Sequence, residues 1–128
     1  MKKLVFLLLA VMILTACGQN KENGQGAVYV NITAEEARQI MDSEEGYIIL
    51  DVRTQEEYDQ GHIPGAIVIS HEKISEKAEE VLTDKDQLIL VYCRSGRRSK
   101  IAAEALVELG YTNIKEFGGI IDWPYGTE

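Results

Sequence analysis

One thiol sits where chemistry is open to it. Cys93-Arg94-Ser95-Gly96-Arg97-Arg98 puts a cysteine at the head of a short loop, with a glycine and three arginines in the next five positions. The apolar run at 88–92 has the composition of a strand buried on both faces. After the loop, Ile101, Ala102, Ala105, Leu106 and Leu109 recur at helical spacing, and Gly110 supplies a stop signal. A loop passing from a central strand into a helix turns successive N–H groups into a concavity, and the helix N-terminus adds partial positive charge. A thiol at that point loses its proton more readily, and the same donors suit an anionic substrate. The alternative is an inert cysteine packed at a strand end. The glycine and the arginines tip the reading towards a nucleophile in an anion cradle.

Other polar residues fall where a fold would need them. Asp51-Val52-Arg53 follows a second apolar run at 47–50, at the strand end where ligand sites of open α/β sheets lie. It reads as an ion pair or cap bracing the loop, with Arg53 also in reach of Glu56 or Glu57. His62-Ile63-Pro64-Gly65 is a turn, and its histidine reads as bonded to backbone rather than as a general base. His62 and His71 are the only histidines and Cys17 and Cys93 the only cysteines, so no metal-ligand cluster is expected.

The elements that must position these residues alternate. Residues 28–32 read as a strand. Thr33-Ala34-Glu35-Glu36 is a capping box, followed by a stripe of Ala37, Ile40 and Met41 that Gly46 ends. Thr54-Gln55-Glu56-Glu57 opens a second, short helix that Gly61 stops. A strand is expected at 67–69, then a helix over 72–82 with Ile74, Ala78, Val81 and Leu82 inward. The last strand is expected around 114–116. Gly118-Gly119 then permits a tight approach, and 120–123 makes a terminal turn or short helix with Trp123 in the core. Strands alternating with helices predict an α/β fold with a parallel sheet covered on both faces.

At Cys93 to Ser99 the residues resemble the active-site loop of single-domain rhodaneses, the thiosulfate:acceptor sulfurtransferases. Asp51-Val52-Arg53, Glu56-Glu57-Tyr58, Gly61-His62-Ile63-Pro64-Gly65-Ala66 and Gly118-Gly119 with Trp123 fit the same family in the same order. The resemblance implies a three-layer sandwich around a five-stranded parallel sheet of order 3-2-4-5-1. It implies a Cys93 nucleophile carrying a persulfide, with Arg94, Ser95, Gly96, Arg97 and Arg98 holding the anionic donor and Asp51 and Arg53 supporting the site. Arg98 and Arg94 are the favoured donor-binding arginines, and Arg97 reads as solvent-facing. No metal or organic cofactor is implied. Phosphatases and arsenate reductases of the same fold use a loop one residue longer, so the four residues between Cys93 and Arg98 argue for a single sulfur atom. A persulfide carrier or thiol-sensing module that does not turn over is the remaining alternative.

The N-terminus carries a different message. Lys2-Lys3, an apolar stretch at 4–14 and Leu14-Thr15-Ala16-Cys17 have the form of an export signal ending in a lipobox-like motif. The resemblance to a bacterial lipobox implies that residues 1–16 are a lipoprotein signal peptide and Cys17 the lipidated first residue of the mature chain; a plain secretory signal or an uncleaved N-terminal anchor is the alternative. Residues 17–27, polar and glycine-bearing, read as a flexible tether to a domain at 28–128. The expected location is the extracytoplasmic face of the cell membrane. Lipidation of Cys17 would leave Cys93 without a disulfide partner. The 128 residues suffice for one domain, expected to be monomeric. The formal net charge of −8 argues against a nucleic-acid partner and makes the arginine loop a local exception.

Overall fold

The computed structural model describes residues 28–128, so the segments expected to be a signal peptide and a tether, with Cys17, lie outside the described residues. Five strands alternate with four helices: β1 (Val30–Asn31), α1 (Ala34–Ser43), β2 (Ile48–Asp51), α2 (Gln55–Asp59), β3 (Ile67–Val68), α3 (Ile74–Val81), β4 (Ile89–Cys93), α4 (Arg97–Glu108) and β5 (Ile114–Gly119). All strand pairs are parallel and the order is β1-β5-β4-β2-β3, the sheet expected from the resemblance read from its other edge.

The central strand explains the layering. Every residue of β4 is buried, and alternate side chains enter different cores. Ile89, Val91 and Cys93 join Leu50 and Ile114 of the sheet, with Val52 just past β2, against Ile74, Ala78 and Leu82 from α3 and its C-cap and Ala102, Ala103 and Leu106 from α4. Leu90 and Tyr92 pack on the opposite face with Ala37, Ile63, Phe117 and Trp123. Burying each large aliphatic of this kind contributes about 1.5–3 kcal/mol. The face that a residue of β4 takes therefore decides its company, and Cys93 lies on the α4 side.

Local signals set the helix boundaries. Both capping boxes form: Thr33 with Glu36, and Thr54 with Glu57, each with reciprocal side-chain and backbone bonds. Four expectations need correcting. Val81 and Ile101 point outward, at 48% and 43% exposure, because each lies at the edge of its helical stripe. The helix expected over 72–82 opens with a 3-10 turn, His71–Lys73, before α3 proper. The last strand runs on through Gly119, so that Gly119 sits in register with Cys93. A 3-10 turn, Ile120–Asp122, follows at once.

Candidate active site

Cys93 ends β4 and the chain then turns through 94–96 into α4. Gly96 makes that turn: it is the residue before the helix and has φ +112°, a left-handed conformation that glycine adopts without a Cβ penalty. The turn aims the Gly96 N–H at Cys93 Sγ, at 3.0 Å. Ser99, one turn into α4, brings its hydroxyl to 3.4 Å from the same sulfur. Burial alone would push the thiol up. The Ser99 hydroxyl and the backbone N–H groups of Ser99, Gly96 and Ser95 outweigh burial and bring it below its ordinary value. Cys93 is 1% exposed, yet hydrogen-bond donors rather than apolar atoms alone surround its sulfur.

The far wall of the cradle is backbone. A Cβ at Gly119 would fall 1.9 Å from the Arg94 carbonyl oxygen and 2.5 Å from Ser95 Cα, so only glycine lets the loop lie against β5. The Ile121 N–H then donates to that carbonyl at 3.2 Å. The loop is thus held from the β5 side as well as from α4.

The other side of β4 carries the brace. Asp51, fully buried, accepts from Nε and Nη2 of Arg53, with the shortest contact 2.6 Å, and from the Arg53 N–H. Tyr92 donates its hydroxyl to the same carboxylate at 2.6 Å and accepts from the Ile63 N–H. Burial first and Asp51 second push the Tyr92 phenol well above its usual range, which keeps it a donor. Arg53 also donates to the Gly61 carbonyl at 2.8 Å. One carboxylate therefore ties together β2, β4 and the turn at 61–63.

This places the sequence candidates differently. Cys93, Ser95 and Gly96 meet at the sulfur through main-chain atoms. Arg94 and Arg97 are exposed, and Arg94 borders a cavity of about 330 Å³ with Arg53, Glu57, Gln60, Gly61, Ile120 and Ile121. Arg98 does not reach into open space. Its guanidinium makes two bonds to Glu57, at 2.8 and 3.0 Å, raising Arg98 further and holding the Glu57 carboxyl at about 2. The pairing of Arg53 with Glu56 or Glu57 is likewise corrected: Asp51 takes Arg53 and leaves Glu57 to Arg98. His62 makes the backbone bond expected of it, Nδ1 to the Tyr58 carbonyl at 2.9 Å, and stacks on the Tyr58 ring.

Sequence reasoning assigned no role to Ser99, Tyr92 or Glu116. Ser99 closes the loop motif but carries no charge to mark it. Glu116 had a visible signal: an acidic residue between Ile114 and Phe117 in a strand that is otherwise apolar at its buried positions. It is 2% exposed and bonded to Ser99 and to the Gly118 N–H.

The model of the family described as "Rhodanese-like domain" matches residues 33–123. A thiosulfate sulfurtransferase, PspE, of Escherichia coli strain K12 is 41% identical over 73 residues, covering 57% of this chain and 70% of that protein. A sulfurtransferase of Allochromatium vinosum is 36% identical over 93 residues, covering 72% of this chain and 85% of that one. Among solved structures, a rhodanese with anions from E. coli superposes with TM-score 0.60 at 36% identity, over 64% of this chain and 96% of that one. The rhodanese-like domain of an Anabaena protein, Alr3790, gives TM-score 0.71 at 29% identity, over 77% of each chain. With its parallel sheet, its cysteine loop at the end of the central strand and the family match across nearly the whole domain, this chain belongs to the rhodanese-like domain family.

Proposed function

We propose that this chain is a rhodanese-type sulfurtransferase that moves a sulfane sulfur from an anionic donor such as thiosulfate to a thiol or cyanide acceptor. The observation that carries the reading is the convergence of N–H and hydroxyl donors on one buried, acidified thiol. The Cys93 thiolate attacks the outer sulfur of the donor, the S–S bond of the donor breaks, and sulfite leaves with the electron pair. Cys93 then holds a persulfide, which the loop N–H groups stabilise as they stabilised the thiolate. The acceptor's nucleophile takes the outer sulfur and returns the thiolate. Arg94, exposed beside the cavity, attracts the donor anion, and Arg98 acts through Glu57 to hold the loop's flank. The four-residue spacing between Cys93 and Arg98, narrowed further by the Gly119 wall, supports a cradle for one sulfur rather than for a tetrahedral oxyanion.

The lipobox-like Leu14-Thr15-Ala16-Cys17 supports an N-terminal lipid anchor placing the domain at the extracytoplasmic face of the membrane. The deciding experiment is the intact mass of the protein after thiosulfate. A gain of one sulfur, removed by reductant and absent in Cys93→Ser, is expected, with cyanide-dependent turnover lost in the same variant. A wild type with free Cys93 and no mass gain would refute the proposal, and a mass gain without turnover would reduce it to sulfur carriage.

A further inference from the structure

Sulfur transfer as described gives Glu116 no task, yet a carboxylate buried to 2% exposure beside a nucleophile needs one. Its Oε2 accepts from the Gly118 N–H at 2.9 Å and shares a very short hydrogen bond with Ser99 Oγ. Ser99 Oγ also lies 3.4 Å from Cys93 Sγ. The Gly96 and Gly118 carbonyls are near it at 3.1 and 3.4 Å, but as acceptors they compete only for the same proton. A hydroxyl has one proton to give. Ser99 cannot donate to a thiolate and a carboxylate together. With a protonated thiol the chain runs from S–H to Ser99 Oγ and from Ser99 O–H to Glu116. With a thiolate it must reverse, and the close contact between Ser99 and Glu116 survives only with a proton on the carboxyl.

We infer that Glu116 is a positioning residue that takes up the Cys93 proton through Ser99 and later returns it. In the forward step the S–H bond breaks as its proton passes to Ser99 Oγ, and the hydroxyl's own proton passes to Glu116 Oε2. A thiolate and a neutral carboxylic acid result; no electrons change hands and no proton leaves the protein. The inference deepens the sulfur-transfer reading and rests on Cys93 being its nucleophile. The surrounding charges let one negative charge sit at either end. Lys100 of α4, its Nζ 3.8 Å from Glu116 Oε1, favours the carboxylate, and the loop N–H groups favour the thiolate. Tyr29, just before β1, is pushed up mainly by burial and also by Glu104 and Glu116. Arg98, which feels the Cys93 charge, is occupied by Glu57.

Cys93 and Glu116 then hold one proton between them. While they do, the thiolate fraction does not change with pH. Iodoacetamide alkylation of Cys93 in the purified full chain, followed across pH, reads this directly. The wild type should show a plateau and then a second rise as the last proton leaves. Glu116→Gln keeps the shape of the side chain but cannot hold the proton. It should show a single limb, with the rate falling about tenfold per pH unit below its midpoint. Ser99→Ala cuts the chain between intact ends and should also lose the plateau, with its midpoint moved to higher pH. A Glu116→Gln profile superimposable on wild type overturns the inference. If that variant does not fold, a plateau retained in Ser99→Ala overturns it instead. Persulfide formation without a plateau sinks the relay alone, whereas a plateau without persulfide sinks sulfur transfer alone.

Discussion

Replacing Gly119 with alanine asks whether the shape of the loop backbone makes the thiol reactive. Gly119 has φ −128°, extended backbone that any residue adopts, so the substitution brings no conformational strain of its own. The obstacle is space. The new Cβ would stand 1.9 Å from the Arg94 oxygen, 2.4 Å from the Arg94 carbonyl carbon and 2.5 Å from Ser95 Cα. Ordinary contact begins at 3.4 Å, so the loop must retreat by roughly 1.5 Å. Misplacing a reacting group by about 1 Å costs on the order of 10²-fold in rate. We therefore expect kcat/KM for thiosulfate-to-cyanide transfer to fall about 10²-fold, with about 1–3 kcal/mol lost in urea unfolding through overpacking. The alkylation midpoint of Cys93 should rise, because the Ser95 and Gly96 N–H groups withdraw from the sulfur. Gly46→Ala is the matched control. Gly46 has φ +79° and nothing within 4 Å of a Cβ, and it precedes β2 at the end of the sheet opposite Cys93, so this variant should lose about 1–2 kcal/mol to strain while keeping the alkylation midpoint. Wild-type turnover and alkylation in Gly119→Ala would refute the claim that this wall shapes the cradle.

Two further outcomes follow from the charges. Asp51→Asn leaves the Arg53 guanidinium, 6% exposed, without its carboxylate, and should cost about 3–5 kcal/mol in chemical denaturation; an unchanged midpoint would contradict the brace. Glu57 has a folded value of about 2 against an ordinary 4.5, so its pairing stabilises the fold above pH 4.5 and is lost as pH falls towards 2. With its side chain 29% exposed, screening leaves about 1 kcal/mol. Unfolding free energies of wild type and Glu57→Gln should thus differ at pH 7 and converge on acidification, and a gap that persists unchanged at low pH would count against it.

The parts of the fold carried by strong periodicity and capping were legible from sequence. Thr33 and Thr54 cap as their i+3 glutamates require, and the buried run before Cys93 is the central strand. The cysteine, the glycine that turns the loop and the tight approach at Gly118-Gly119 were also readable, because each follows from local chemistry. The partnership of charges was not. Arg98 and Glu57 lie 41 positions apart, and whether Glu57 meets Arg53 or Arg98 depends on Asp51 claiming Arg53 first. Ser99 and Glu116 escaped for the same reason: their contact joins α4 to β5 across 17 positions of sequence. Val81 and Ile101 show the limit of counting a helical stripe, whose margins are settled by how far the neighbouring element extends.

The recessed sulfur makes the two halves of the proposed cycle unequal. At 1% exposure Cys93 presents almost no surface to an incoming donor. Once loaded, the outer sulfur lies about 2 Å beyond Sγ, the length of one S–S bond. The acceptor would therefore attack an atom one bond length away from the one that met the donor, so the two half-reactions do not share a point of attack.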